Sequence, residues 1–245
     1  MSELAEHMTR TARASSAPAP RPRDAATLIL IDRSGPVPKV LLGKRHRGHV
    51  FMPGKYVFPG GRVEPHDRHV PVVGRLDPAI EQKLMHHVSR PSRDKARALA
   101  VAAIREVFEE TGLLVGRKVD DAPAQPPADG PVDPFAAAGV RPDLSGLHLI
   151  ARAITPPGRP RRFDARFFAA DAELIVHQVD GVVHSDAELV ELTWLPVAQA
   201  RELDIPPVTK RVLTELEARV AAGFGHDLPV PFYRVLHKKF TCVML

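Results

Sequence analysis

The chain has little cysteine and few aromatic residues, and it has no long uninterrupted apolar run. Its single cysteine, Cys242, cannot form an internal disulfide; this favours a reducing compartment, so we expect a cytoplasmic protein. A membrane-spanning helix needs about 20 consecutive apolar residues, which the sequence does not offer. Aromatic residues make up 5% of the chain and do not interleave a basic stripe, so we expect no nucleic-acid partner and no membrane partner.

Length and composition indicate one globular domain that follows a tail. The 245 residues are 44% hydrophobic and 26% charged, which is typical of a folded domain with a full core. Residues 1–23 are rich in Ala, Ser, Pro and Arg and lack a continuous apolar segment, so we expect a disordered tail rather than a secretory signal. Residues 24–245 then form a single domain. The net charge of +5 suits an anionic substrate without identifying one.

A helix predicted over residues 94–111 places three carboxylates on one face. Because positions i, i+3 and i+4 share a helix face, Glu106, Glu109 and Glu110 fall within an arc of about 100°. Gly112 stands where a C-cap glycine is expected. Crowded carboxylates repel one another unless a cation lies among them, and hard divalent cations prefer oxygen ligands. A solvated acidic face is the alternative interpretation of this pattern alone.

A glycine turn upstream favours the metal-site interpretation, and the two segments together resemble a known family. The apolar run Tyr56-Val57-Phe58 leads into Pro59-Gly60-Gly61, whose backbone can approach a ligand closely. With the helix, this resembles the Nudix hydrolase family, whose box reads G-x5-E-x7-R-E-U-x-E-E-x-G-U, where U is apolar. The second half of the box matches without a gap over residues 105–113.

The first half of the box is separated from the second by an insertion. Counted forward from Gly61, the first Glu of the box falls on Asp67, and counted back from the second half it falls on Arg97. We place the insertion at about residues 65–96. Residues 48–61 (G-H-V-F-M-P-G-K-Y-V-F-P-G-G) are similar to the Nudix subgroup that includes the peroxisomal acyl-coenzyme A diphosphatases, which also have a long insertion in the box.

The resemblance implies a fold, a reaction and a cofactor. The fold is an α/β/α sandwich with a mixed sheet and an insertion within the Nudix box. The reaction is hydrolysis of a diphosphate linkage in a nucleoside diphosphate derivative, with Mg²⁺ or Mn²⁺ as the cofactor, and coenzyme A or an acyl-coenzyme A is the favoured substrate. A dinucleotide, a nucleotide sugar or ADP-ribose is the alternative substrate. A different class of function is a Nudix-fold module that senses a nucleotide without turnover, which the displaced first Glu of the box would favour.

The resemblance and the residue chemistry together give a set of candidate site residues. The predicted metal ligands are Glu106, Glu109, Glu110 and the backbone carbonyl of Gly61. The predicted catalytic residues are Arg105, which would orient the carboxylates, Glu109 and Glu188, with the general base left open between Glu109, Glu188 and Asp186.

Three arginines are candidate contacts for the substrate phosphates, because the guanidinium group suits bidentate phosphate binding. They are Arg45, Arg162 and Arg166. A solvated loop is the alternative for Arg45, and ordinary strand-edge charges are the alternative for the other two. The expected partner is a small-molecule nucleotide. The sequence leaves the oligomeric state open, and the resemblance allows a homodimer because Nudix proteins are often dimers.

Overall fold

The chain is described from a computed structural model that defines residues 3–13, 20–48, 52–120 and 133–245. Within them, helices α1 to α6 span Glu3–Arg13, Pro78–Met85, Arg93–Thr111, Pro134–Ala137, Val197–Glu202 and Pro207–Ala221. Strands β1 to β13 span Arg23–Asp32, Lys39–Arg45, Tyr56–Val57, Gly60–Arg62, Leu113–Val115, Arg117–Lys118, Val140–Arg141, His148–Ile154, Phe163–Asp171, Ile175–Gln178, Leu189–Pro196, Pro231–Leu236 and Lys239–Met244. Parts of the predicted tail, and residues 49–51 of the subgroup segment, lie outside the defined ranges.

Strand β1 lies at the centre of the main sheet because its sequence is apolar on both faces. Leu28 and Leu30 lie on one face and Ile29 and Ile31 on the other, and all four are buried. Strand β9 pairs with β1 in the parallel direction and β2 pairs with it antiparallel, so the sheet is mixed. The strand order is β11-β2-β1-β9-β8-β12-β13, with β3 on β2 and β4 on β1.

Helices cover both faces of this sheet. Helix α3 packs over the face of Leu28 and Leu30, and its many alanines let Ile104 approach the strands closely. Helix α6 covers the opposite face through residues such as Leu213. The predicted α/β/α sandwich with a mixed sheet is confirmed. In the defined ranges, no helix combines the length and the apolar character that crossing a membrane requires.

Helix α3 has well-defined ends, and these set where its carboxylates lie. The hydroxyl of Ser92 accepts a hydrogen bond from the backbone N–H of Lys95 at 3.1 Å. Gly112, with a φ of 76°, ends the helix and donates its N–H to the carbonyl of Phe108 at 2.8 Å. The helix predicted from residue 94 therefore begins one residue earlier, and its second half lies beside β4.

The segment between the two halves of the box forms regular structure. Residues 65–68 form a 3₁₀ turn that contacts α3. Helix α2 also contacts α3, and its Ile80 and Leu84 are buried. Residues 93–96, the last four of the expected insertion, belong to α3 itself. The segment thus rests along the box helix over much of its length.

The N-terminal segment corrects one expectation. Residues 3–13 form α1, in which Leu4, Met8 and Ala12 are buried at intervals of four residues and so share one face. This face packs toward α6, β12 and β13. The predicted disordered tail over residues 1–23 is therefore wrong for residues 3–13. Its composition concealed a short amphipathic helix.

Candidate active site

The glycine turn at β4 lies directly against β1 and α3. Gly60 pairs with Thr27 of β1, and Gly61 pairs with Ala26. A Cβ at Gly60 would lie 2.5 Å from Thr27 Oγ1, and a Cβ at Gly61 would lie 2.4 Å from Glu106 Oε1. Neither position has room for a side chain, so the backbone of Gly61 faces the carboxylate of Glu106 without obstruction.

Arg105 joins the box helix to this turn and to the neighbouring acids. We call Arg105, Asp67, Glu106 and Glu109 the Arg105 cluster. The Nη1 atom of Arg105 donates hydrogen bonds to Glu106 Oε1 and Glu109 Oε2, each at 2.8 Å. Its Nη2 atom donates to the backbone carbonyl of Arg62 at 2.8 Å. Burial lowers the pKa of Arg105, but its hydrogen bond to Asp67 and the nearby carboxylates raise that pKa by more, so the guanidinium stays charged.

Asp67 holds Arg105 from the opposite side to the helix. Its side chain is fully buried, and its Oδ1 accepts a hydrogen bond from Arg105 Nε at 2.9 Å. Its Oδ2 accepts the backbone N–H of Glu64 at 2.7 Å, which fixes the 3₁₀ turn. Sequence reasoning assigned Asp67 no role. Counting forward from Gly61 does reach it, because Asp67 occupies the position of the first Glu of the box.

Glu110 is a buried carboxylate without enough positive charge around it. It is 7% exposed, and its Oε2 has no hydrogen-bond partner among the described residues. Burial, together with the charge of Glu188, raises the pKa of Glu110 well above its ordinary range. Burial also raises the pKa of Glu106, even though Arg105 opposes the change. This part of the site therefore carries an excess of negative charge.

Arg45 and Glu188 close the other side of the site. Arg45, at the end of β2, is 9% exposed, and its Nη2 lies 2.8 Å from Glu188 Oε1. Both groups act on the carboxylate of Glu110. Burial is the main cause of its raised pKa, the charge of Glu188 raises the pKa further, and the charge of Arg45 lowers it. Asp186, the other candidate base of this loop, is exposed and accepts a hydrogen bond from Ser185 Oγ at 3.4 Å.

Arg166 lies in a separate charged group on the same face of the sheet. We call Arg166, Arg152, Lys95, Asp24 and Asp164 the Arg166 cluster. Arg166 is 0% exposed, and its Nη1 donates to Asp24 Oδ1 at 2.6 Å. Asp164 accepts two hydrogen bonds from Arg152, at 2.8 and 2.6 Å, and Lys95 Nζ lies 2.8 Å from Asp24 Oδ2. The expected direct contact between Arg166 and a substrate phosphate is corrected, because its side chain does not reach the surface.

Arg162 stabilises a neighbouring turn. Its Nε donates to the carbonyl of Thr155 at 2.9 Å, and its Nη1 donates to the carbonyl of Pro20 at 2.8 Å. Burial lowers its pKa. The structure brings Arg45 to the box carboxylates but does not bring Arg162 there, and a contact between Arg162 and substrate stays a prediction.

The predicted metal ligands offer oxygen donors alone. Within the residues that the structure defines, no three carboxylate, imidazole or thiol side chains converge into a metal-binding group. Arg105 Nη1 lies 2.8 Å from both Glu106 Oε1 and Glu109 Oε2 and supplies positive charge there. The orphaned Oε2 of Glu110 and the backbone of Gly61 beside Glu106 are donors of the kind that Mg²⁺ and Mn²⁺ bind. The residues present therefore fit such an ion in chemical type.

Comparison with known proteins places this site in context. No family model matches the chain. The chain is 27% identical to the human acyl-coenzyme A diphosphatase NUDT19, over 81% of this chain and 61% of that protein. It is 26% identical to putative nudix hydrolase 7 of Caenorhabditis elegans, over 79% of this chain and 60% of that protein. The chain thus spans about three fifths of the length of these two curated relatives.

A solved structure shows a likeness over most of this chain. The crystal structure of a NUDIX hydrolase from Alicyclobacillus acidocaldarius is similar at a TM-score of 0.58 and 29% identity. The match covers 81% of this chain and 92% of that one. The shared features therefore reach well beyond the residues of the box.

Proposed function

We propose that this chain, as a member of the Nudix hydrolase family, hydrolyses the diphosphate linkage of nucleoside diphosphate derivatives. In that reaction water adds to one phosphorus, the bridging P–O bond breaks, and two phosphate monoesters leave. A diphosphate repels an incoming nucleophile through its own negative charge. The enzyme must therefore neutralise the diphosphate and orient the water.

One observation carries the proposal: the site holds more carboxylates than it can neutralise, and one of them, Glu106, lies against the backbone of Gly61. The five carboxylates are those of Asp67, Glu106, Glu109, Glu110 and Glu188, and the opposing cations are Arg45 and Arg105. The glycine turn next to them has no room for side chains. An excess of buried negative charge is costly by itself, and a divalent cation would offset it.

We assign Glu106, Glu109, Glu110 and the carbonyl of Gly61 as the residues that would hold Mg²⁺ or Mn²⁺. When bound there, the ion supplies positive charge that neutralises the diphosphate and polarises its phosphoryl oxygens. The chain itself supplies the arrangement of the ligands. Arg105 is the positioning residue, since it touches two of the assigned carboxylates and is held by Asp67 in turn.

Glu188 is our candidate for the group that accepts the proton of the attacking water. Its side chain is 41% exposed, so a water can reach it, and Arg45 holds one of its oxygens at 2.8 Å. Its charge acts on both Glu106 and Glu110, which supports this assignment. Glu109 is the alternative base, because it lies in the box and its side chain is 50% exposed.

Coenzyme A or an acyl-coenzyme A is the substrate class that we propose. The similarity of residues 48–61 and the name of the human relative favour it, and the net charge of +5 suits so anionic a molecule. A dinucleotide, a nucleotide sugar or ADP-ribose would use the same chemistry. The sensor hypothesis was favoured by the displaced first Glu of the box. Asp67 provides a carboxylate that binds Arg105 in place of that Glu, which weakens this hypothesis.

Product analysis on a small substrate panel tests the proposal. The panel contains coenzyme A, an acyl-coenzyme A, NADH, ADP-ribose and a diadenosine polyphosphate, each with and without Mg²⁺. The variants are Glu109→Gln and the control Glu191→Gln, whose side chain has the same 50% exposure but lies on β11 and pairs with Lys44.

We expect metal-dependent release of adenosine 3′,5′-bisphosphate from coenzyme A, lost in Glu109→Gln and kept in Glu191→Gln. Cleavage of another member alone would keep the reaction and change the substrate. Tight binding of one compound without cleavage of any would contradict the proposed hydrolase activity and support the hypothesis of a nucleotide sensor. The homodimer and the cytoplasmic location stay predictions.

A further inference from the structure

A groove of about 980 Å³ opens beside the box loop, on the amino-terminal side of the candidate active site. The loop from Arg62 to Pro65 forms one wall, and α3 forms another through Lys95, Ala98 and Leu99. Asp24, near the start of β1, also lines it. Pockets that hold nucleotide-sized ligands fall in the range of about 300–1,000 Å³. The groove is thus large enough for a nucleoside with a phosphate.

The polar lining of this groove is positive overall. Its charged members are four cations, Arg23, Arg62, Arg68 and Lys95, and two acids, Asp24 and Glu64. Asp24 is already neutralised, since Lys95 Nζ and Arg166 Nη1 lie 2.8 and 2.6 Å from its two oxygens. Glu64 faces His66 at 3.4 Å.

The three arginines of the groove are the groups available to an anion. Arg23, Arg62 and Arg68 are exposed, and within the described part of the chain none of their guanidinium groups forms an ion pair. Guanidinium groups match phosphate oxygens in geometry and bind them in a bidentate manner. The groove therefore presents phosphate-binding groups that the fold itself does not use.

The interior behind the groove adds to this positive character. Arg166 contacts Asp24 from within the protein, and its Nε and Nη2 atoms are buried without hydrogen-bond partners among the described residues. The Arg166 cluster holds three cations and two acids, so the wall behind Asp24 carries a surplus positive charge. The buried side chains of Ala98 and Leu99 lie beside it and form the apolar floor of the groove.

The groove is joined to the candidate active site through Arg62. The side chain of Arg62 lines the groove, while its carbonyl accepts the hydrogen bond from Arg105 Nη2 at 2.8 Å. Along α3, Leu99 precedes Glu106 by seven residues, which corresponds to about 10 Å of helix. That separation is close to the width of a nucleoside. One ligand can therefore place its diphosphate at the Arg105 cluster and a further phosphate in the groove.

We propose that this groove recognises a phosphate monoester on the ribose of the substrate, in addition to the diphosphate that is cleaved. The assignment rests on the proposed function and deepens it, because it makes the extra phosphate a determinant of specificity. Nucleotides that carry such a group, as coenzyme A does at its 3′-hydroxyl, are then preferred over those that lack it. The groove arginines Arg23 and Arg68 are the specificity residues that can be changed without touching the box.

The kinetic test compares coenzyme A with dephospho-coenzyme A, which differs only by the ribose phosphate. The variants are Arg23→Gln, Arg68→Gln and the control Arg75→Gln, an exposed arginine that does not line the groove. We expect the kcat/KM ratio of the two substrates to fall by about tenfold in each groove variant, because a hydrogen bond to a charged group is lost. The loss should lie mainly in KM, and Arg75→Gln should keep the wild-type ratio.

A binding test separates failure of this assignment from failure of the proposed function. Calorimetry with adenosine 3′,5′-bisphosphate and with 5′-AMP needs no turnover. Preferential binding of the bisphosphate, weakened in Arg23→Gln and Arg68→Gln and kept in Arg75→Gln, would support the groove even if no substrate were cleaved. Equal binding of the two nucleotides, or a preference that both groove variants leave intact, would overturn it.

Discussion

Two charged clusters lie on the same face of the sheet, and they differ in sign and in access. The Arg105 cluster, with Glu110, Glu188 and Arg45, has five carboxylates against two cations, and several of its groups reach solvent. The Arg166 cluster has three cations against two acids, and Arg166 itself is 0% exposed. The first cluster lacks positive charge and the second carries a surplus of it.

Arg105 and Arg166 are the same residue type, so the difference between their roles comes from their surroundings. Arg105 stands at the edge of the helix and holds carboxylates that a ligand can reach. Arg166 lies on β9 and is fully buried, and its neighbour Arg152 donates to the carbonyl of His86 at 2.8 Å and stacks 4.1 Å from the ring of Phe232. The arrangement around Arg105 suits the binding of a ligand and its hydrolysis. The arrangement around Arg166 stabilises the fold and contributes a positive electrostatic potential.

The largest effect on stability should come from a substitution in the Arg166 cluster. Asp164→Asn leaves Arg152 and Arg166 with too little negative charge, and we expect a loss of about 3–5 kcal/mol in the free energy of unfolding. Asp171→Asn is the matched control at the other end of β9. Its partner Arg33 is bound in a similar bidentate way but is 37% exposed, so we expect about 1 kcal/mol or less.

Urea unfolding of the two variants measures this difference. Equal losses in the free energy of unfolding would mean that burial does not distinguish the two aspartates. The Arg166 cluster would then have no special role in stability.

A substitution in the Arg105 cluster should instead reduce turnover and leave stability nearly unchanged. Glu106→Gln removes an assigned metal ligand, so kcat should fall by about 100-fold or more, which corresponds to about 3 kcal/mol of transition-state stabilisation. Stability should change little, because the loss of the hydrogen bond to Arg105 is offset by less repulsion among the carboxylates. Steady-state kinetics and thermal unfolding on the same samples check both parts. Unfolding of Glu106→Gln at a much lower temperature would contradict the division of roles.

A smaller effect on turnover is expected at Asp67, which acts through Arg105. Asp67→Asn weakens the hold on the guanidinium, and residues that support metal ligands typically change activity or metal affinity by about 10–100-fold. The half-saturating Mg²⁺ concentration should rise together with the loss of kcat, whereas KM for the nucleotide should change less. A rise confined to the nucleotide KM would assign Asp67 to substrate binding instead.

The carboxylate face of α3 was predictable because it depends on local spacing. Residues at i, i+3 and i+4 meet on one face wherever the helix lies, and Gly112 marks its end through its own backbone preference. The role of Asp67 was less accessible, since a long segment separates it from Arg105 and only the folded chain brings the two together.

The burial of Arg166 was not predictable from its own segment. Alternation along β9 indicates two faces but not what covers each of them. Its neighbours come from distant parts of the chain: Asp24 of β1 binds it, and Arg152 stands opposite it on β8. Arg152 is held in turn by His86 and by Phe232 of β12, which lies some eighty residues further along the chain. Similarly, the composition of residues 1–23 suggested disorder, while Leu4 and Met8 have a packing partner only in the folded domain.

The smallest effect concerns a half-buried ionisable group, His148, to which no carboxylate in the defined ranges binds. Burial, helped by the neighbouring His226, lowers the pKa of His148 to about 4, and its ring stacks between those of Phe224 and His226. Asp171 opposes this shift only in part. Whereas Arg105 and Arg166 keep their charge through carboxylates, His148 stays neutral.

The sign of its pH effect follows from linkage. The unfolded chain binds a proton at His148 below about pH 6.5, and the folded chain does so only near pH 4. The free energy of unfolding should therefore fall as the pH drops through this window, by less than about 1.4 kcal/mol per pH unit because the ring is partly exposed. Unfolding of His148→Gln should depend less steeply on pH, and His177→Gln, at an exposed position, should match the wild type. Identical profiles for all three would contradict the assignment.

The assignment of the metal to the Arg105 cluster is tested most directly by measuring bound Mn²⁺ by electron paramagnetic resonance in the wild type, Glu106→Gln and Asp24→Asn. We expect Mn²⁺ to bind to the wild type and to Asp24→Asn, which removes a carboxylate from the Arg166 cluster, and to bind at least tenfold more weakly to Glu106→Gln. Circular dichroism would establish that each variant is folded. Binding that survives Glu106→Gln unchanged, or that disappears in Asp24→Asn alone, would contradict the placement of the metal at the Arg105 cluster.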